Sequence, residues 1–277
     1  MFIGIIGTPC SGKHTVAGWL VKEHNFKALS LCESKHDDFH PLIFTSAENL
    51  LLYVTENWDD NFVTCDIDSE EILASYRRRP FFLLIAVDGP VMLRYERYRN
   101  RKCKLEKPLQ SLEQFIESND YSVFQYSSKS PSHSPSLSSS LYNMTSTSDL
   151  TIVNTFHELS CFYSHLAALE ITNNERLRPM WDSYFMYMAD LAAKRSNCMK
   201  RRVGCILVRN HRVVATGYNG TPIGLKNCNE GGCPKCNLGS NCGDKSDSCL
   251  CLHAEENALL EAGRARVGEE SILYCNT

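Results

Sequence analysis

Apolar positions cluster at the start of the chain in Phe2-Ile3-Gly4-Ile5-Ile6, a short buried strand. They recur at helical spacing in Val16, Trp19 and Leu20, which predicts a helix up to Glu23. The same reading predicts a helix over Leu42 to Val54, a β-branched and aromatic strand over Asn61 to Ile67, and a short helix over Glu70 to Arg78. A buried strand follows over Pro80 to Val87. Strands alternating with helices imply a parallel sheet with crossover helices. Between Tyr126 and Ser148 the chain turns to serine with Pro131, His133 and Pro135, too little apolar surface to repay ordering, so residues 127–148 read as a disordered insert. Leu150 to Val153 resumes as a strand. Phe156 to Leu169 then carries Leu159, Phe162, Tyr163, Leu166 and Leu169 on a helix that closes a first domain, 1–171.

A second domain, 176–277, opens on Pro179 and an apolar-striped helix from Trp181 to Arg195. Val203 to Val208 and Val213 to Tyr218 form a hairpin across the polar turn Arg209 to Arg212. A cysteine-rich stretch, a helix beginning at His253 and a strand over Ile272 to Tyr274 complete it. Strand, strand, helix, strand is the opening of an α/β sandwich.

Composition narrows the function. With 277 residues, 43% hydrophobic and 22% charged, the chain has room for two cores, and a net charge of −3 provides no global field for polyanions. Bulk nucleic-acid binding and membrane-surface binding are disfavoured. The start lacks a basic leader, and no apolar run approaches the ~18 residues of a membrane span. The expected location is therefore the cytoplasm, with the nucleus as a second compartment. Fourteen cysteines without an export signal suggest metal or reduced thiols rather than disulfides. Six of them, Cys228, Cys233, Cys236, Cys242, Cys249 and Cys251, crowd one segment.

Candidate chemistry centres on His253-Ala254-Glu255. In zinc deaminases a His-x-Glu at a helix entrance supplies a metal ligand and a glutamate that shuttles protons without binding the metal. Hydrolysis at neutral pH needs a strong nucleophile, and zinc provides one by lowering the pKa of bound water to about 7. Residues two apart on a helix point roughly 200° from each other. His253 and Glu255 can therefore converge only if His253 stands at the entrance rather than inside the helix. Taken alone, the triplet reads first as a solvated helix start with acidic residues at the favourable end of the dipole. Cys233-Pro234-Lys235-Cys236 has the spacing of half a zinc knuckle. With Cys228 it forms a candidate structural zinc site that Cys242, Cys249 or Cys251 could complete; a loop of metal-free thiols is the alternative.

Context decides the first question. Met180 to Met186, Lys194 to Cys198, Arg202 to Val208, Gly217 to Pro222 and Cys251 to Ala258 occur in the order seen in deoxycytidylate (dCMP) deaminases, which the chain resembles over most of residues 176–277. The cysteine insertion and the N-terminal extension resemble the two-domain fungal form. The resemblance implies a cytidine-deaminase-like α/β/α sandwich and zinc-dependent hydrolysis of dCMP to dUMP, supplying thymidylate synthesis. It implies His253 as zinc ligand, Glu255 as proton shuttle and Asn219 beside the nucleotide sugar. It also implies a homo-oligomer, activated by dCTP with Mg²⁺ and inhibited by dTTP. Family members continue past the strand matching Ile272 to Tyr274 into Pro-Cys-x-x-Cys, whereas this sequence ends at Thr277. The expectation is a C-terminally incomplete zinc site with one secure ligand, Cys251 and Cys275 being the nearest substitutes. Such a chain would be inactive, and a nucleotide-binding regulatory protein with a dead deaminase domain is the alternative.

The N-terminus carries a second motif. Gly7-x-x-x-x-Gly12-Lys13, between a strand and a helix, is a phosphate loop and predicts a P-loop, nucleotide-kinase-like parallel sheet. The position after the lysine, where a hydroxyl should hold magnesium, is His14, and Thr15 points about 100° away around the helix. A retained fold whose loop binds phosphate weakly is therefore expected, and a nucleoside-phosphate kinase is the least favoured reading. Arg94, Arg97 and Arg101 recur at helical spacing and resemble the substrate-closing helix of nucleotide kinases.

Overall fold

The computed structural model describes residues 1–31, 40–104, 109–126, 140–237 and 249–277, which fall into two compact units, Met1–Leu177 and Arg178–Thr277. In the first unit the chain runs β1 (Phe2–Gly7), α1 (Lys13–His24), β2 (Lys27–Ser30), β3 (Leu42–Ile43), α2 (Ala47–Glu56), β4 (Phe62–Thr64) and α3 (Glu70–Arg77). It continues through β5 (Phe82–Asp88), α4 (Val91–Lys104), α5 (Leu112–Phe124), α6 (Leu141–Ser146), β6 (Leu150–Val153) and α7 (Leu159–Ala168). The strands form one parallel sheet in the order β3-β2-β4-β1-β5-β6.

The central strands are apolar at nearly every position because both faces are covered. Alternation divides them. Ile3, Ile5, Val63, Leu83, Ile85 and Val87 pack with Val16 and Leu20 of α1 and Phe162 and Leu166 of α7. Phe2, Ile6, Phe62, Phe82 and Leu84 face the other way, onto Leu50 and Val54 of α2 and Leu73 and Tyr76 of α3. From β1 the chain first fills one side of the sheet, with β4 as its neighbour there, then crosses to β5 and β6 on the other. That reversal puts the Gly7–Lys13 loop at a topological switch point, the crevice where open α/β sheets bind ligands.

Two expectations need correction here. Leu42 to Val54 is not one helix. Leu42 and Ile43 pair with Leu29 and Ser30 as an edge strand, and the helix begins only after Ser46, whose side chain accepts from the Asn49 N–H at 3.2 Å. The serine-rich insert ends earlier than its composition suggested. Residues 127–139 lie outside the described residues, but α6 follows Ser140, and Met144 is buried against Phe2 and Leu84 of the sheet core. Leu141 packs on the same core, and Ser140 caps the helix by accepting from Asn143 N–H at 3.3 Å.

The second unit contains α8 (Trp181–Ala193), β7 (Gly204–Arg209), β8 (Arg212–Tyr218), α9 (Pro234–Asn237), α10 (Ala254–Arg266) and β9 (Ile272–Cys275). The sheet is antiparallel, ordered β8-β7-β9. Along β7, Ile206 and Val208 pack on Phe185 and Ala189 of α8, while Cys205 and Leu207 pack on Ala254, Ala258 and Ala262 of α10. One helix therefore covers each face. Two glycines set how closely: a Cβ on Gly204 would stand 2.1 Å from the Ala189 carbonyl oxygen, and one on Gly217 2.1 Å from that of Ala254. Backbone contact of this kind admits no side chain.

Candidate active site and cysteine centre

His253 occupies the N-cap of α10 with extended backbone (φ −69°, ψ 155°), so its side chain leaves the chain before helical geometry begins. That is the entrance position the His-x-Glu spacing demands. The preceding residue is fixed by a two-way bridge, Leu252 N–H to Gly220 O at 2.8 Å and Gly220 N–H to Leu252 O at 3.3 Å. From within the helix, Asn257 Nδ2 donates to Tyr218 O at 2.8 Å. The helix start is thus sewn to the end of β8, with Gly217 allowing the contact. His253 is exposed and Glu255 is half-buried beside it.

Glu255 is held as a carboxylate. Its own backbone N–H, the Cys275 thiol and the nearby His253 outweigh partial burial and keep its pKa below the ordinary glutamate value. Cys275 Sγ donates to Glu255 Oε1 at 3.1 Å from the exit of β9. Cys205, its cross-strand partner, lies fully buried behind. Burial and the Glu255 charge push the Cys205 thiol up to about 11, and burial with the Glu255 contact pushes Cys275 up to about 12. Both remain protonated at neutral pH, and Cys275 serves as a hydrogen-bond donor to the carboxylate.

Asn219 directly follows the end of β8. Its Oδ1 accepts from Val203 N–H at 2.9 Å and Ser196 Oγ at 2.6 Å, and its Nδ2 donates to Arg201 O at 2.8 Å. These bonds occupy both ends of the amide. Asn219 ties the α8–β7 connector to the end of β8, a role that the sequence pattern did not reveal.

The three cysteines singled out by spacing do come together. The sulfurs of Cys228, Cys233 and Cys236 lie within 4.8 Å of one another, the one grouping of at least three potential metal ligands among the described residues. Cys249 joins them, with its Sγ 3.9 Å from that of Cys233. Two thiolates on one tetrahedral zinc, at about 2.3 Å each, stand about 3.8 Å apart, so the donor set suits that ion. Burial alone would raise the Cys233 thiol, but the N–H groups of Leu250 and Cys236 and the adjoining thiols bring it down to about 7. Cys251 joins this centre: its thiol contacts Cys249, and Cys198 from the α8–β7 connector hydrogen-bonds both Cys251 and Cys236. Cys198 lies 30 residues before Cys228, so spacing within the insertion could not have found it. Cys242 falls outside the described residues.

In the first unit, Gly7 and Gly12 are required by geometry. A Cβ on Gly7 would stand 2.2 Å from Val87 O, and Gly12 has φ +104° with Asn154 Nδ2 2.6 Å from its notional Cβ. Helix α1 starts without a side-chain cap, and Lys13 Nζ reaches Cys65 O at 3.4 Å. The arginine stripe does not present a substrate-closing face. Arg94 donates to Pro9 O, Gly89 O and Asn119 Oδ1, and Arg97 to the carbonyls of Cys10, Ser11, Asn154 and Phe156. Both brace the loop from its carbonyl side, and Arg101 is exposed.

Residues 179–277 match the cytidine and deoxycytidylate deaminase zinc-binding region. The deoxycytidylate deaminase of Schizosaccharomyces pombe is 46% identical over 281 residues, 99% of this chain and 83% of that protein. The chain belongs to the deoxycytidylate deaminase family. The Saccharomyces cerevisiae deoxycytidylate deaminase is 40% identical over 286 residues, 100% of this chain and 82% of its own length. That of Mycobacterium phage D29 is 41% identical over 92 residues, 31% of this chain and 70% of its own. The two yeast members of the family thus align with both units, and the phage member with a third of the chain. No helix among the described residues is long and apolar enough to cross a membrane.

Proposed function

We propose that this member of the deoxycytidylate deaminase family hydrolyses dCMP to dUMP and ammonia, with Glu255 as the proton carrier and His253 as a ligand of a catalytic zinc. The observation that carries this reading is the pairing of an ionised Glu255, held by Cys275, with an exposed His253 at the helix entrance. When bound in such a site, zinc lowers the pKa of a water molecule to about 7. The described residues supply it one imidazole. Glu255, already deprotonated at neutral pH, accepts a proton from the attacking water as its oxygen bonds to C4 of the pyrimidine. It gives that proton to the ring nitrogen, takes the second from the hydroxyl now on C4 and delivers it to the amine, so that the C4 carbonyl forms as the C–N bond breaks and ammonia leaves. Cys275 keeps the carboxylate aimed. In protein expressed from its own gene, Glu255→Gln should lower dCMP turnover by about 10²- to 10⁴-fold with little change in melting temperature. Turnover within a factor of a few of the unsubstituted protein would rule Glu255 out.

Cys228, Cys233 and Cys236, with Cys249, belong to the same proposal as a structural zinc site. The tight sulfur grouping and the depressed Cys233 thiol support it. His253→Ala protein should retain about one zinc per chain, and the double variant His253→Ala with Cys233→Ser should retain none, as read by atomic absorption. His253→Ala protein free of zinc would mean metal-free thiols. By the family reading, assembly into a homo-oligomer, activation by dCTP with Mg²⁺ and inhibition by dTTP also belong to this function; sedimentation and dCMP assays with each nucleotide test them. A second element rests on the first unit, whose Gly7, Gly12 and Lys13 we assign to holding phosphate. The uncapped start of α1 with Lys13 at its head favours it.

A further inference from the structure

Helix α1 is entered through a loop whose carbonyl side is taken up by Arg94 and Arg97, while no side chain caps the helix N–H groups that follow Gly12. Inside the turn of that loop the Ser11 hydroxyl is completely buried and has no hydrogen-bond partner, 2.9 Å from where a Cβ on Gly7 would stand. A buried hydroxyl of this kind calls for a ligand or water oxygen to satisfy it. The loop is therefore built for an anion, with two buried or half-buried guanidinium groups and Lys13 adding positive charge.

His14, however, replaces the hydroxyl that would share magnesium. A phosphate loop normally divides the ion between that hydroxyl and a carboxylate on a strand beside its own. The carboxylates that end the two flanking strands differ in availability. Asp66, after β4, already accepts from Ser30 Oγ at 2.6 Å and Leu31 N–H at 2.7 Å through one oxygen. Asp88 ends β5, whose Val87 is in register with Gly7, and its side chain is 57% exposed. Thr8 Oγ1, from inside the loop, donates to Asp88 Oδ1 at 2.6 Å. Arg94 Nε stands 3.7 Å from the same oxygen. The loop thus fixes one carboxylate oxygen beside the phosphate position and leaves that carboxylate reachable from solvent.

On these grounds, and resting on the assignment of Gly7 to Lys13 as a phosphate site, we propose that the first unit binds a nucleoside triphosphate with its divalent cation, Asp88 being the protein's ligand to that cation in place of the missing hydroxyl. The cation coordinates Asp88 directly or through one of its waters, because Mg²⁺ dehydrates reluctantly and commonly takes one or two carboxylates. Lys13 turns from Cys65 O to the phosphates.

The experiment is equilibrium binding of adenylyl imidodiphosphate to the full chain, by calorimetry, in magnesium and in EDTA. Lys13→Ala should weaken binding at least about ten-fold in both conditions, as expected for loss of a charge-assisted contact. Asp88→Asn, which preserves the acceptor for Thr8, should remove the enhancement by magnesium, so that its affinities in magnesium and in EDTA converge. Enhancement retained in Asp88→Asn overturns the assignment of Asp88 while leaving the phosphate loop standing. Absence of saturable binding in either condition overturns both. Should Asp88→Asn fail to fold by circular dichroism, manganese in the unsubstituted protein gives the answer. With the nucleotide present it should broaden the Asp88 carboxylate ¹³C resonance ahead of those of the other aspartates; an unbroadened Asp88 signal overturns the proposal.

Discussion

Gly217 shows how one residue sets the geometry of the candidate active site. Its missing side chain lets α10 approach β8 until a Cβ would collide with Ala254 O at 2.1 Å and Ala258 N at 2.5 Å. Gly217→Ala should therefore push the helix entrance outward, carrying His253 and Glu255 with it. The expected loss is about 1–3 kcal/mol of stability, measured by urea denaturation of the second unit, with reduced dCMP turnover alongside. The placement of His253 and Glu255 at a helix entrance was legible in the sequence because it depends on residue type and on a spacing of two. The partner of Glu255 was not. Cys275 reaches it only because β9 pairs with β7 in a register that sets Cys275 opposite Cys205. Asn219 was legible as a strand-end asparagine, but its bonds to Val203, Ser196 and Arg201 come from a connector that no local pattern links to it.

Elements were read best where apolar periodicity was strong. The strands β1, β5 and β7 and the helices α1 and α8 fall where burial patterns predicted, since continuous apolar runs signal central strands and a 3.6-residue stripe signals a covered helix. Helix α8 packs through Phe185, which is 1% exposed and sits between Ile206, Val208 and Tyr274. Phe185→Ala should cost the second unit about 3–5 kcal/mol, read from the shift of its denaturation midpoint, because the sheet behind it cannot collapse into the void. Elements with weaker signatures were missed. Helix α5 has a capping box at Ser111 and Gln114, visible in the sequence, but its stripe is blurred: Asn119 is buried with Phe115 while Ile116, Tyr121 and Phe124 are exposed. Strand β2 is four residues long and begins at an exposed lysine. The end of the insert departs from its composition because composition averages over residues, while α6 is held by only two apolar contacts, Met144 and Leu141.

At the scale of the molecule, two separate cores lie under two sheets of different kinds, one parallel and one antiparallel. Leu84 is fully buried in the first, in one cluster with Leu73 and Tyr76 of α3 and Met144 of α6. Leu84→Ala should remove about 2–5 kcal/mol there. Hydrogen exchange should accelerate at the β1, β4 and β5 amides and stay as it was in β7 and β8; acceleration in both units would mean that the cores unfold as one. The sequence by itself determined the class of each unit and the positions of the Gly7–Lys13 loop and the His253–Glu255 helix entrance. These rest on periodicity and on residues close in the chain, where backbone geometry alone fixes what can meet. Only the tertiary structure decided which distant groups complete each site: Cys275 on Glu255, Cys198 and Cys249 in the cysteine centre, and Asp88 beside the phosphate loop. Their meeting depends on strand order, register and connector path, which are properties of packing between segments far apart in the chain and leave no trace in local spacing.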